Sequence, residues 1–177
     1  MDGLEPPSSR VPMRSQGTLV EAAHAVPGGI PGLPYAGTFA RVTFSDTSVM
    51  PPTPIAEYPV FVPLADRDGT SIAGLRMLPL RVPKATYTGW NQRAAGFGPA
   101  ALYPLNGVSL PFAATQGERE AANDPRLSLA ERYGGPAGYV AAVNNAAADM
   151  VAERLLLQED AVRAVDLAKQ DKLSKLR

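Results

Sequence analysis

Apolar residues recur along this chain at two different spacings, and the change between them divides it. From Thr38 to Arg76 they approach alternation with polar positions: Phe39, Val42 and Phe44 in AGTFARVTFS, Val60 and Val62 in YPVFVP, Ile72 and Leu75 in GTSIAGLRM. Successive side chains of a strand point to opposite faces, so this spacing predicts half-buried β-strands. Pro59 and Pro63 bracket the second run and remove ladder donors, which confines it to a short or edge strand. Asp66-Arg67-Asp68-Gly69 lies between two such runs and reads as a hairpin turn, with Gly69 free to take a positive φ. Asn106-Gly107 reads as a second turn of that kind, between Leu102-Tyr103 and Val108–Leu110.

Beyond Pro111 the spacing becomes helical. Thr115 with Glu118 and Ser128 with Glu131 have capping-box spacing, in which a hydroxyl oxygen accepts from the backbone three residues on and the Glu returns the bond. Gly134-Gly135 closes the second of these helices, and Pro136 suits the first position of the next. There Val140, Val143, Ala147, Val151 and Leu155 form one stripe, and further on Ala161, Val165 and Ala168 form another. Helices are predicted at Thr115–Ala122, Ser128–Tyr133, Pro136–Leu155 and Glu159–Lys169.

The segment from Met1 to Pro34 has no apolar period and a Pro or Gly every few residues. It predicts an extended, irregular arm, either disordered or laid along a larger body, because alone it cannot bury enough surface to stay ordered. The 177 residues are therefore expected to form a single α+β unit. Its parts would be a Pro-rich arm over 1–34, a strand and loop region over 35–112 with a small irregular β-hairpin region containing Tyr58–Arg76, and a helical region over 113–177.

Composition mainly removes chemistry. Seventeen Lys and Arg balance seventeen Asp and Glu, so no long-range field draws the chain to nucleic acid or to anionic lipid, and neither partner is expected. With no Cys and His24 as the only His, a thiol nucleophile, a Cys-ligated zinc and a two-His metal site are excluded. No signal-peptide pattern and no long apolar run occur, so the chain as written is expected in the cytoplasm. Asp66, Asp68 and Gly69 resemble part of a calcium loop, but that alignment puts Leu64 and Leu75 where carboxylates belong. No phosphate-cradling glycine motif and no G-x-S-x-G pentapeptide is present, so no cofactor is expected and no nucleophile elbow is readable. His24 sits among alanines in the irregular arm with no carboxylate to orient it, a poor position for a general base.

What remains is Thr86–Arg93, TYTGWNQR, which holds the only Trp. Tyr87, Trp90, Asn91 and Arg93 combine contact area with polar ends and are the candidate substrate-binding residues. The same set would equally serve as an aromatic anchor in an internal packing interface.

At these residues a family resemblance emerges. YPVFVP…D-x-DG-x-x-IAGLR, VP-x-ATYTGWN-x-RAAGF, LNG…PFA-x-T-x-x-ERE, DPR-x-SL-x-ERYG…GYVAAV and MVAERLLLQEDA resemble the C-terminal part of a large bacterial family of α/β-hydrolase-domain proteins. DGLEPPSSRVPMRSQGTLV is similar to that family's DGTPPPPSRYPRLADGTLV-like segment, so nearly the whole chain is covered, with His24 to Ala56 matched loosely. In the family, the nucleophile and its His lie upstream of this segment, and His24 falls where the family shows no His. The resemblance thus implies a partial α/β-hydrolase C-terminal region of the ester-hydrolysing class, without the nucleophile and triad His and inactive alone. TYTGWNQR would line or brace the cleft, and the expected partner is an upstream hydrolase core or a second copy. The alternative is an independent small protein-interaction module.

Overall fold

The C-terminal apolar stripes meet each other and form the core. In the computed structural model, which describes residues 17–21, 30–33, 43–93, 96–97, 102–103 and 105–173, helix α4 (Pro136–Ala152) lies against helix α5 (Gln158–Lys169). Val143, Ala147 and Met150 of α4 pack with Ala161, Ala164 and Ala168 of α5, and Leu78, Val82 and Leu173 close the cluster. Small alanines on the α5 face let the two backbones approach, so Val143 and Met150 are wholly enclosed. Leu78 comes from a short helix, α1 (Leu78–Arg81), that the sequence pattern does not announce.

Both capping boxes form. In α2 (Gln116–Ala121) Thr115 Oγ1 accepts from Glu118 N at 3.3 Å and the Glu118 carboxylate accepts from Thr115 N at 3.2 Å. In α3 (Leu129–Tyr133) Ser128 and Glu131 make the same exchange, and Gly134 ends the helix at φ 66°. Helix α4 stops at Ala152, three residues before the expected Leu155. Arg154 takes φ 59°, its N–H bonds Val151 O at 2.9 Å, and Leu155 N bonds Met150 O at 2.8 Å. That is a Schellman ending built without glycine, which is why periodicity alone ran past it. Asn123 and Asp171 end α2 and α5 in the same way.

The β region is a set of four two-stranded antiparallel ribbons among the described residues, so the architecture is α+β. They pair β1 (Leu19–Glu21) with β4 (Phe61–Pro63), β2 (Thr43–Asp46) with β3 (Thr53–Glu57), β5 (Ala85–Tyr87) with β8 (Ser109–Pro111), and β6 (Asn91–Gln92) with β7 (Leu102–Tyr103). β1 belongs to the Pro-rich arm, and with Ile30 buried the described parts of that arm lie on the protein's own body. The rest of the arm, His24, Phe39 and Val42 fall outside the described residues.

Two strand expectations need correction, and one strand, β3, was not expected. The Ile72–Leu75 run is not a strand: only Ala65 and Ser71 form a bridge, Gly74 turns the chain at φ 92°, and Ile72 and Leu75 face solvent. β3 was hidden by Pro51, Pro52 and Pro54, which a two-stranded ribbon tolerates because one edge of each strand needs no donors. Asn106-Gly107 does not join Leu102-Tyr103 to Val108–Leu110 as a hairpin, because β7 and β8 pair with different strands. Instead Gly107 passes so close to Thr88 that a Cβ there would stand 2.1 Å from the Thr88 carbonyl oxygen. No helix among the described residues is long and apolar enough to cross a membrane.

Where the helices meet the ribbons, Tyr133 and Tyr139 pack edge to face at 5.2 Å, and Tyr133 donates to Pro83 O at 2.7 Å. Burial pushes both phenols up to about 12. A phenol whose folded pKa exceeds its unfolded value of about 10 stabilises the fold fully below pH 10 and loses that contribution as pH rises towards 12. Urea midpoints followed by circular dichroism are therefore expected to fall across pH 10–12, by an amount on the order of 2 kcal/mol per phenol. The double variant Tyr133→Phe/Tyr139→Phe is expected to flatten that fall.

Candidate functional site

The Asp66–Gly69 turn is built by its first residue. Asp66 Oδ1 accepts from the backbone N–H of Asp68 and of Thr70, both at 3.0 Å, and Asp66 N bonds Thr70 O at 2.8 Å. Gly69, at φ 77°, completes the turn as its composition predicts. Asp66 Oδ2 accepts from Arg76 Nη2 at 2.8 Å, and the same nitrogen donates to Leu80 O at 3.0 Å. Asp68 pairs with Arg132. Both carboxylates are thus committed to backbone N–H groups and arginines, and no group of three His, Cys, Asp or Glu able to hold a metal occurs among the described residues.

This turn, the 73–76 loop, β4 and the Tyr87–Trp90 segment enclose a cleft of about 450 Å³, inside the range of small-molecule sites. Tyr87 and Trp90 line it, as does Leu33 of the arm. Burial raises the Tyr87 phenol above its ordinary pKa, so it remains a donor at neutral pH. Thr88 fixes the aromatic pair: its hydroxyl donates to Trp90 O and accepts from Val108 N at 3.1 Å. The structure does not bring the four candidates together. Asn91 sits opposite Tyr103 in the β6–β7 ribbon, and the exposed Arg93 lies over the Tyr103 ring at 5.9 Å. Neither lines the cleft.

Behind the cleft lies the DPR-x-SL-x-ERYG motif. Arg126, only 2% exposed, holds Asp124 through Nε at 2.9 Å and Nη2 at 2.6 Å. Its Nη1 donates to Thr86 Oγ1 and to Leu110 O, each at 2.9 Å, tying the α2–α3 loop to β5 and β8. Thr86 in turn donates to Asp68 O, so the chain of bonds runs from this loop to the Asp66–Gly69 turn. Arg126 and Arg132 both stack on Phe112, at 5.1 and 4.2 Å. Burial alone would raise the pKa of Asp124, but its bonds to Arg126 and the nearby Arg119 charge outweigh it and hold the carboxyl below its usual range.

Sequence reasoning missed Thr70 and Arg76 in the cleft wall and the bracing role of Asp124 and Arg126. The i, i+2 spacing of Asp124 and Arg126 is the one local signal that this pair closes on itself. A family model described as an alpha/beta hydrolase domain matches residues 2–166. No curated protein and no solved structure matches the chain.

Proposed function

The chain belongs to the alpha/beta hydrolase domain family, and from that premise we propose that it forms the cleft wall and structural brace of an ester-bond hydrolase, with no turnover of its own. The observation that carries this reading is where the motif charges go. Asp66 is bound by Arg76, Asp68 by Arg132, Asp124 by Arg126, and Glu131 by Ser128 and Arg119. Acid–base catalysis needs a titratable group poised within reach of substrate, and these are consumed in bracing. The sequence adds His24 as its sole imidazole and no G-x-S-x-G turn. What the cleft offers is a largely apolar wall with the Trp90 and Tyr87 rings, suited to the acyl or alkyl part of an ester.

The partner in this reading is a hydrolase core. The β2–β3 ribbon supports it, since Met50 is 89% exposed, Ile55 69%, and the stacked Phe44 and Tyr58 rings are also open to solvent. Purified chain assayed on p-nitrophenyl acetate and octanoate is expected to hydrolyse neither above the buffer rate. Turnover abolished by His24→Ala overturns the proposal and makes that residue the base.

A further inference from the structure

A second cavity lies on the helical side of the molecule, in the elbow between α3 and α4, with the end of α5 along it. Its volume is about 310 Å³, at the small end of the range of ligand sites, and it shares no lining residue with the Tyr87–Trp90 cleft. Leu129, Pro136 and Val140 give it an apolar wall, and the Tyr133 and Tyr139 rings line it too. With both phenols pushed up to about 12 by burial, the rings stay protonated at neutral pH and bring no negative charge.

The polar feature of this wall is Lys84. Its ammonium stands 4.5 Å from the centre of the Tyr139 ring and pairs with Asp171, and all three residues line the cavity. Those two contacts fix the charge at the cavity wall, and the Lys84 side chain, 34% exposed, is open to solvent. An ammonium carries three N–H donors. Asp171 is its one hydrogen-bond partner among the described residues and the ring face attracts it without accepting a full bond, so donor capacity remains for a ligand.

Charge then selects the ligand. The lining holds two cations, Lys84 and Lys169, against the single carboxylate of Asp171. Asp171 is 74% exposed, and the pair between Lys169 and Asp166 is a surface pair, so neither carboxylate holds its lysine strongly. An anion therefore meets surplus positive charge. A cation finds the Tyr139 face taken by Lys84 and is repelled by it. A neutral ligand gains the apolar contacts alone.

We propose that this cavity binds a small apolar monocarboxylate, its carboxylate accepting from Lys84 and its ring or chain lying against Leu129, Pro136 and Val140. The site is independent of the hydrolase reading, since it uses neither the Tyr87–Trp90 cleft nor any group that reading assigns.

Titration of the full chain with phenylacetate, followed by NMR, is expected to shift the Tyr133 and Tyr139 ring resonances saturably. The indole N–H of Trp90, the only Trp, reports on the other cleft and is expected to stay in place. Phenylacetamide keeps the shape without the charge and is expected to bind about tenfold more weakly, with phenethylammonium weaker still. Lys84→Gln is expected to weaken phenylacetate about tenfold, the worth of one hydrogen bond to a charged group. The same variant is expected to bind phenylacetamide as the parent does, which shows its cavity intact. The comparison of the three ligands on the parent decides the matter even if the variant does not fold. No saturable shift at the tyrosines, a shift at Trp90 in their place, amide or ammonium binding as tight as that of phenylacetate, or an unchanged phenylacetate affinity in Lys84→Gln each overturns the proposal.

Discussion

Replacing Arg126 by Met is expected to cost about 3–5 kcal/mol of folding stability, the usual consequence of breaking a buried ion pair from one side. Methionine refills much of the arginine stem's volume, so the loss is that of the guanidinium and not of a cavity. Asp124, 5% exposed, would be left with its burial uncompensated by Arg126, and Leu110 O and Pro111 O would lose donors. For a chain of this size each kcal/mol moves the melting temperature by roughly 2–4 °C, so a drop of about 6–20 °C is expected by calorimetry.

The pH dependence identifies the cause. In the parent, Asp124 has a depressed pKa, so its contribution is present above the ordinary carboxyl range and is lost as pH falls through the folded value. In the variant the dominant remaining influence is burial, which raises that pKa, so Asp124 takes up a proton earlier and the unpaired charge disappears. The stability gap between parent and variant is therefore expected to shrink from pH 7 to pH 4. A constant gap would mean that Arg126 matters for its packing on Phe112 and not for its charge.

Legibility of this fold from its sequence follows how local each signal is. The capping boxes at Thr115 and Ser128 were readable because both partners lie within four residues and bond to each other. The turn at Asp66–Gly69 was readable for the same reason. The ribbons were not, since β1 with β4 and β5 with β8 pair across tens of residues and each strand has only three. So short a strand shows too little alternation to separate Phe61–Pro63 from the false run at Ile72–Leu75. In the cleft, Tyr87 and Trp90 were found as aromatics, whereas Thr70 and Arg76 acquire meaning only once the 73–76 loop folds back over Asp66. Asn91 and Arg93 shared the sequence cluster but went to the neighbouring ribbon, because Thr88 turns the chain between them and Tyr87.

Gly138→Ala is expected to destabilise the protein by about 3 kcal/mol or more, although alanine is the better helix former by about 1 kcal/mol. Gly138 lies in the first turn of α4, directly after the Gly134-Gly135 reversal that brings the end of α3 against it. A Cβ at 138 would stand 1.8 Å from the Tyr133 carbonyl oxygen and 3.0 Å from its carbon. No rotamer relieves a clash between a Cβ and backbone, so the helices must separate. Tyr133 resists that separation through its hydrogen bond to Pro83 O and its edge contact with Tyr139. Gly117→Ala in α2 is the matched control, since a Cβ there meets nothing within 4 Å. That variant is expected to hold or raise the melting temperature, because only the propensity gain and the reduced freedom of the unfolded chain remain. Equal melting of both variants would refute the close α3–α4 approach and, with it, the positions of Tyr133 and Tyr139 at the helix–ribbon boundary.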